Sequence, residues 1–120
     1  MSEPPLALSD VDAALEEQNL RWTRQGDELT ALVKLHDFAA ALEFVNAVGA
    51  AAEAANHHPD IDIRYNKVRL TLTTHDSGGI TLLDLALADV IDRLRPDVRE
   101  AEEGAEGGEG AAGGNAGGGA

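Results

Sequence analysis

The spacing of apolar residues alternates between two periods along this chain, and each switch marks a new element. Ser9, with Asp12 three residues on, is a variant capping box that predicts a first helix over about Asp10–Gln18, with Val11, Ala14 and Leu15 on one side. Pro4 and Pro5 keep the segment before it extended. From Leu20 the period becomes two. Leu20, Trp22 and Arg24 alternate with Arg21 and Thr23; Leu29, Ala31, Val33 and Leu35 alternate with Thr30, Leu32, Lys34 and His36. Gly26-Asp27 supplies the turn between these runs, so they read as a β-hairpin. Asp37 is a good N-cap for a helix from Phe38 to about Ala55, on which Phe38, Leu42, Val45, Val48 and Ala52 recur at helical spacing. Alanine, the best helix former, fills much of it. Asn56 closes this helix and Pro59 forbids its continuation.

A second hairpin follows. Ile61, Ile63 and Tyr65 alternate up to a bend at Asn66-Lys67. Val68, Leu70, Leu72 and Thr74 then share one face of the next strand, and Arg69, Thr71, Thr73 and His75 the other, until Gly78-Gly79 ends it. Thr81 and Asp84 form another capping-box variant, opening a helix whose expected buried stripe is Leu83, Leu87, Val90 or Ile91, and Leu94; Pro96 stops it. The order α-ββ-α-ββ-α predicts an α+β fold of two layers, a four-stranded antiparallel sheet covered on one face by helices.

Residues 1–7 read as an extended N-terminus and 8–97 as the domain. Residues 98–120 read as a disordered tail rich in Gly, Ala and Glu. From Glu100 onward it holds five glutamates and nine of the chain's 13 glycines, with no basic or large apolar residue. Such a composition cannot bury enough apolar surface to offset the entropy of ordering.

Charge narrows the function. The formal net charge is −13, and the tail's five glutamates leave −8 for the rest. That argues against general nucleic-acid binding, which needs cations to displace phosphate counterions, and against attraction to an anionic membrane. With no cysteine there is neither a disulfide framework nor thiolate chemistry. The N-terminus has no basic segment followed by an apolar run, and no stretch approaches the roughly 20 apolar residues of a membrane span. A cytoplasmic protein is expected.

Three of the four histidines fall between Glu53 and Asp76. Glu53 and His57, four apart at a helix end, read as neighbours, the carboxylate fixing the imidazole's tautomer or raising its pKa. His58 must point elsewhere, Pro59 sets the turn presenting both rings, and His75 ends a strand with a polar outer face. Imidazoles titrate near neutrality, so such a cluster can supply acid and base together. Each residue also has a plainer reading: His57 interacting with the helix dipole, Asp84 as a simple cap, Glu53 as a solvated side chain. His36 takes the plainer reading outright. Glu53, His57 and His75 are acceptable zinc ligand types, but no HExxH motif or compact ligand spacing is present, so no metal is expected. There is no nucleophile elbow, phosphate-cradling loop or dinucleotide fingerprint.

The spacing of Glu53, "HHP" (His57 to Pro59), Tyr65, His75 and Asp84, with "YNKV" and "TTHDSGGIT", resembles the pterin-4a-carbinolamine dehydratase family over about Leu8–Leu94. Trp22 and the "HDF" step at His36–Phe38 belong to the same resemblance. The resemblance implies a cofactor-free dehydratase that eliminates water from a 4a-hydroxytetrahydropterin to give the quinonoid dihydropterin. It implies His57 and His75 as general acid and base, His58 as a pterin-orienting group that also transfers protons, and Glu53 tuning His57. Asp84 and Pro59 would support the pocket, Asp84 at its edge, and Trp22 would wall it. It further implies a homodimer or homotetramer, which the edges of an open sheet can provide. The coactivator role of animal members has no counterpart in these residues. The rival expectation is a non-catalytic pterin-binding or assembly module on the same fold.

Overall fold

The computed structural model of the chain describes residues 3–96. The tail expected from 98 onward lies outside them. The elements run α1 (Leu8–Glu17), β1 (Thr23–Gln25), β2 (Glu28–Lys34), α2 (Phe38–Ala55), β3 (Asp60–Arg64), β4 (Lys67–Leu72) and α3 (Leu82–Leu94), with a 3-10 turn at His75–Ser77. The strands form one antiparallel sheet in the order β1-β2-β4-β3. The expected order α-ββ-α-ββ-α and the four-stranded sheet are what the chain adopts.

Register decides which side of the sheet is covered. Leu29 stands opposite Leu72, Ala31 opposite Leu70 and Val33 opposite Val68, all buried, with Ile61 and Ile63 of β3 continuing the same rows. Val11, Phe44, Val48, Leu87 and Ile91 from the three helices join these residues in a single core. The opposite face carries Thr30, Leu32, Lys34, Arg69 and Asp62. The period of two is therefore kept because one face is dry and the other is not.

The helices sit differently from expectation in three respects. α1 starts at Leu8 behind Ala7, with no side-chain cap, so Ser9 lies inside the first turn. The start is fixed from outside: Leu6 N–H donates to Ile80 O at 2.8 Å, and Ala7 O accepts from Asp10 and Val11. In α2 the buried stripe is Ala41, Phe44, Val48 and Ala52, while Phe38 and Leu42 are 46% and 41% exposed. A helix this apolar offers several equivalent stripes, and the one rich in alanine was taken. Its 18 residues and mean hydropathy of 1.3 are long and apolar enough to cross a membrane. Here that inward stripe belongs to the core. In α3, Leu83, Val90 and Leu94 are exposed; Asp84, Leu87, Ala88 and Ile91 face inward. These four share one face at the i, i+3, i+4, i+7 spacing, with a carboxylate among them.

Trp22 is buried, and its Nε1–H donates to Asp92 Oδ1 at 3.0 Å. Asp92 also accepts from Arg21 N–H and Arg95 Nη1, which ties the end of α3 to the start of β1. Arg24 grips Asp12 with two hydrogen bonds, Nε to Oδ1 at 2.7 Å and Nη2 to Oδ2 at 3.1 Å, linking β1 to α1. The Arg24 hydrogen bonds hold the Asp12 carboxyl below its usual value of 3.8, with the guanidinium's charge acting in the same sense. A carboxylate depressed on folding stabilises above its unfolded value and loses that contribution as pH falls through the folded one. The Tm difference between the wild type and Asp12→Asn is therefore expected at neutral pH and should close below pH 3.8. A difference that persists unchanged into strong acid would contradict the pairing.

Candidate active site

α2 ends in a Schellman motif. Asn56 adopts a left-handed conformation (φ 51°, ψ 43°). His57 N–H reaches back to Ala52 O, and Asn56 N–H to Glu53 O, both at 3.1 Å. These are the two bonds that define the motif. The left-handed residue reverses the chain, so His57 no longer lies on the helical face of Glu53. The expected Glu53–His57 pair is therefore not formed. Glu53 Oε2 instead accepts from His58 Nε2 at 2.6 Å on the exposed surface.

His57 turns inward and meets Asp84. Its Nε2 lies 2.5 Å from Asp84 Oδ1; the imidazole is 11% exposed and the carboxylate fully buried. Asp84 was expected at the edge of a pocket, but it lies beneath His57, inside the protein. Its other oxygen, Oδ2, accepts from Thr74 Oγ1 at 2.8 Å and from Thr81 N–H at 2.9 Å. The latter bond belongs to the capping box of α3, which the sequence pattern had located.

Proton directions follow from these contacts. A carboxylate with three donors around it only accepts, so His57 Nε2 carries a hydrogen. Thr74 gives its hydroxyl proton to Asp84, which leaves Thr81 as the donor in the 2.9 Å Thr74–Thr81 contact. Thr81 Oγ1 in turn accepts from Leu83 N–H at 3.2 Å. The network is fully satisfied, and in the neutral ring it leaves Nδ1 of His57 as the nitrogen with a lone pair. Nothing in the apolar pattern flagged Thr74. Its signal was a hydroxyl at the end of the face carrying Val68, Leu70 and Leu72.

His75 follows Thr74 directly and is exposed. A bridge between Thr74 and Gly79, with Gly78 at φ 76° accepting the left-handed turn, closes the loop that carries it. His75 is thus one residue removed from the group that holds Asp84, while Pro59 leads from His58 into β3. Trp22 bonds to the C-terminal half of α3. Its partner Asp92 is eight residues beyond Asp84, about 12 Å along α3 at 1.5 Å per residue. His36 takes no part in the network. Among the described residues, no three His, Asp or Glu side chains converge as a metal site.

Residues 4–94 match the family described as Pterin 4 alpha carbinolamine dehydratase. The chain belongs to this family. It is 50% identical over 91 residues to a provisionally named pterin-4-alpha-carbinolamine dehydratase of Chloroflexus aurantiacus, covering 76% of this chain and 97% of that protein. A similarly named protein of Acidobacterium capsulatum is 55% identical over 73 residues, covering 61% and 79%. Among solved structures, a transcriptional coactivator/pterin dehydratase from Brucella melitensis superposes with a TM-score of 0.71 at 30% identity, covering 77% of this chain and 99% of that one. A pterin dehydratase-like protein described as a RuBisCO assembly factor in the alpha-carboxysome gives 0.51 at 24% identity, covering 62% and 87%, a likeness of fold.

The left-handed Asn56 gives the site a specific sensitivity. Asn56→Ala should cost about 1 kcal/mol, because a Cβ without a local polar partner disfavours this conformation, whereas Asn56→Gly should be close to neutral. Urea denaturation checks both; equal losses for Ala and Gly would contradict the αL cap.

Proposed function

We propose that the chain dehydrates a 4a-hydroxytetrahydropterin to the quinonoid dihydropterin, with His57 and His75 as the proton-transferring pair. What carries this reading is the buried Asp84–His57 contact, which leaves Nδ1 of His57 as a base in a chain of this family. The 4a-hydroxyl leaves as water and must gain a proton. The adjacent ring nitrogen must lose one. One imidazole donates and the other accepts, and exchange with solvent restores both. Neither a redox group nor a metal is needed for this balance. His58, held by Glu53, orients the pterin at the rim, and Pro59 fixes the direction of the two rings. Trp22 supports the fold at the far end of α3. The protein works in the cytoplasm as a homodimer or homotetramer, for which the outer strand β3, with Ile61 38% exposed, offers an edge.

The assay is quinonoid formation from freshly generated carbinolamine, followed by absorbance. His57→Ala and His75→Ala should each lower kcat by roughly 10²–10⁴-fold, the usual contribution of a positioned acid or base. Thr74→Val should lower kcat by a smaller factor with little change in KM, because it frees the Asp84 carboxylate without touching substrate. Wild-type protein that does not exceed the buffer rate would favour the non-catalytic module.

A further inference from the structure

The face of the sheet away from the helices carries a charge opposite in sign to that of the chain. The net charge is −13, yet Lys34, Lys67 and Arg64 stand directly opposite one another on β2, β4 and β3. Like charges opposed across a sheet are destabilising. In the next row Arg69 stands between Leu32 and Asp62, and in the one after that Thr71 stands between Thr30 and Asp60. Four of the chain's nine Lys and Arg residues therefore lie in two adjacent rows. Among the described residues, Asp62 is the only carboxylate in ion-pair contact with any of them, 3.3 Å from Arg64. That pair is weak, because the Arg64 side chain is 80% exposed. Leu32, Asp62, Arg64, Lys67 and Arg69 line a shallow cavity of about 270 Å³, to which the half-exposed Leu32 adds apolar surface.

The extent of this cluster defines what it takes. Neighbouring strands lie about 4.8 Å apart, so Lys34 and Arg64 are about 10 Å apart across the first row, and Arg69 is about 7 Å along β4 from Lys67. The cavity falls below the roughly 300–1,000 Å³ that encloses a drug-sized molecule. Its cations span about one Debye length at 0.1 M salt. Beyond that distance the chain's excess of carboxylates repels a long polyanion such as a nucleic acid, or an anionic membrane. A compact, highly charged anion gains from the four cations without entering the repulsive field. Phosphate groups suit these donors: guanidinium forks bind phosphate oxygens in pairs, and the ammonium groups act as point charges beside them.

We propose that the open face is a binding site for a compact polyphosphate, a di- or triphosphate that is free or is the phosphate chain of a small metabolite, held by Lys34, Arg64, Lys67 and Arg69. The anion lies between the opposed cations of the first row and relieves their repulsion. Asp62 works against it and limits its affinity. The site is separate from the His57–Asp84 pair, because Asp84 belongs to the inward side of α3 and the helices cover the other face. It does not depend on the dehydratase reading.

The test is a titration of the full chain with inorganic tripolyphosphate in about 20 mM NaCl, followed by calorimetry and by amide chemical shifts. Half-saturation is expected at about 1 mM, the sum of four exposed pairs, with shifts centred on Leu32, Asp62, Arg64, Lys67 and Arg69. Lys67→Gln and Arg69→Gln should each weaken binding roughly fivefold, the worth of one such pair, and Asp62→Asn should tighten it. Lys67→Gln removes an opposed charge, so its Tm without anion should not fall below that of the wild type. Its dehydration rate should also match the wild type. Adenosine triphosphate distinguishes the two sources. Tighter binding than tripolyphosphate, lost in Leu32→Ser, assigns a metabolite whose organic part rests on Leu32; equal or weaker binding assigns the free phosphate chain. Binding that fails to saturate, shifts spread over both faces or centred on His57 and His75, or an affinity unchanged in Lys67→Gln and Arg69→Gln would overturn the proposal. So would a single-stranded oligonucleotide bound on this face more tightly than tripolyphosphate, since the face would then serve a polymer.

Discussion

A carboxylate with no access to water is the constraint around which the site is arranged. Removing an ion from water costs several kcal/mol, and that cost persists unless donors replace the solvent. Asp84 meets three of them, and each comes from a different element. Thr81 belongs to the N-terminus of α3, Thr74 to the segment after β4, and His57 to the segment after α2. Loss of any donor would leave buried charge short of a partner, so the three segments are held in one arrangement. The same bonds hold the fold together and fix the orientation of His57. The cap that starts α3 also orients an imidazole, because Thr81 N–H and His57 Nε2 meet the two oxygens of one carboxylate.

The two histidines of the HHP run show how backbone geometry divides roles. Asn56 in the left-handed region swings His57 inward onto Asp84. The next residue then faces solvent and pairs with Glu53. Adjacent side chains thereby acquire opposite surroundings: one imidazole 11% exposed, the other 55%. A substrate meeting this surface would find a fixed ring and an adaptable one side by side.

The element order, the hairpins and the α2 and α3 caps were legible in the sequence because each rests on a local rule. Alternation gave the strands, Asp37 and Thr81 the caps, and Asn56 with Pro59 the end of α2. Helix rotation was less legible. Apolar periodicity passes over a carboxylate, yet Asp84 is what turns α3, bringing Leu87 and Ile91 inward and leaving Leu83 and Leu94 at the surface. The partner of each histidine was illegible for a related reason. Spacing of four implies contact only while the helix continues, and one left-handed residue ends that. Thr74 was hidden because its hydroxyl faces inward at the close of an apolar strand face, where only the folded chain supplies its acceptor.

The central claim, that Asp84 sets His57 as a base through Nδ1, is open to direct observation. Long-range proton–nitrogen correlation spectra of the free protein, at a pH where the His57 ring is neutral, report which ring nitrogen bears the hydrogen. The account predicts hydrogen on Nε2 and a bare Nδ1 in the wild type. A His57 ring protonated on Nδ1 with a bare Nε2 would contradict it.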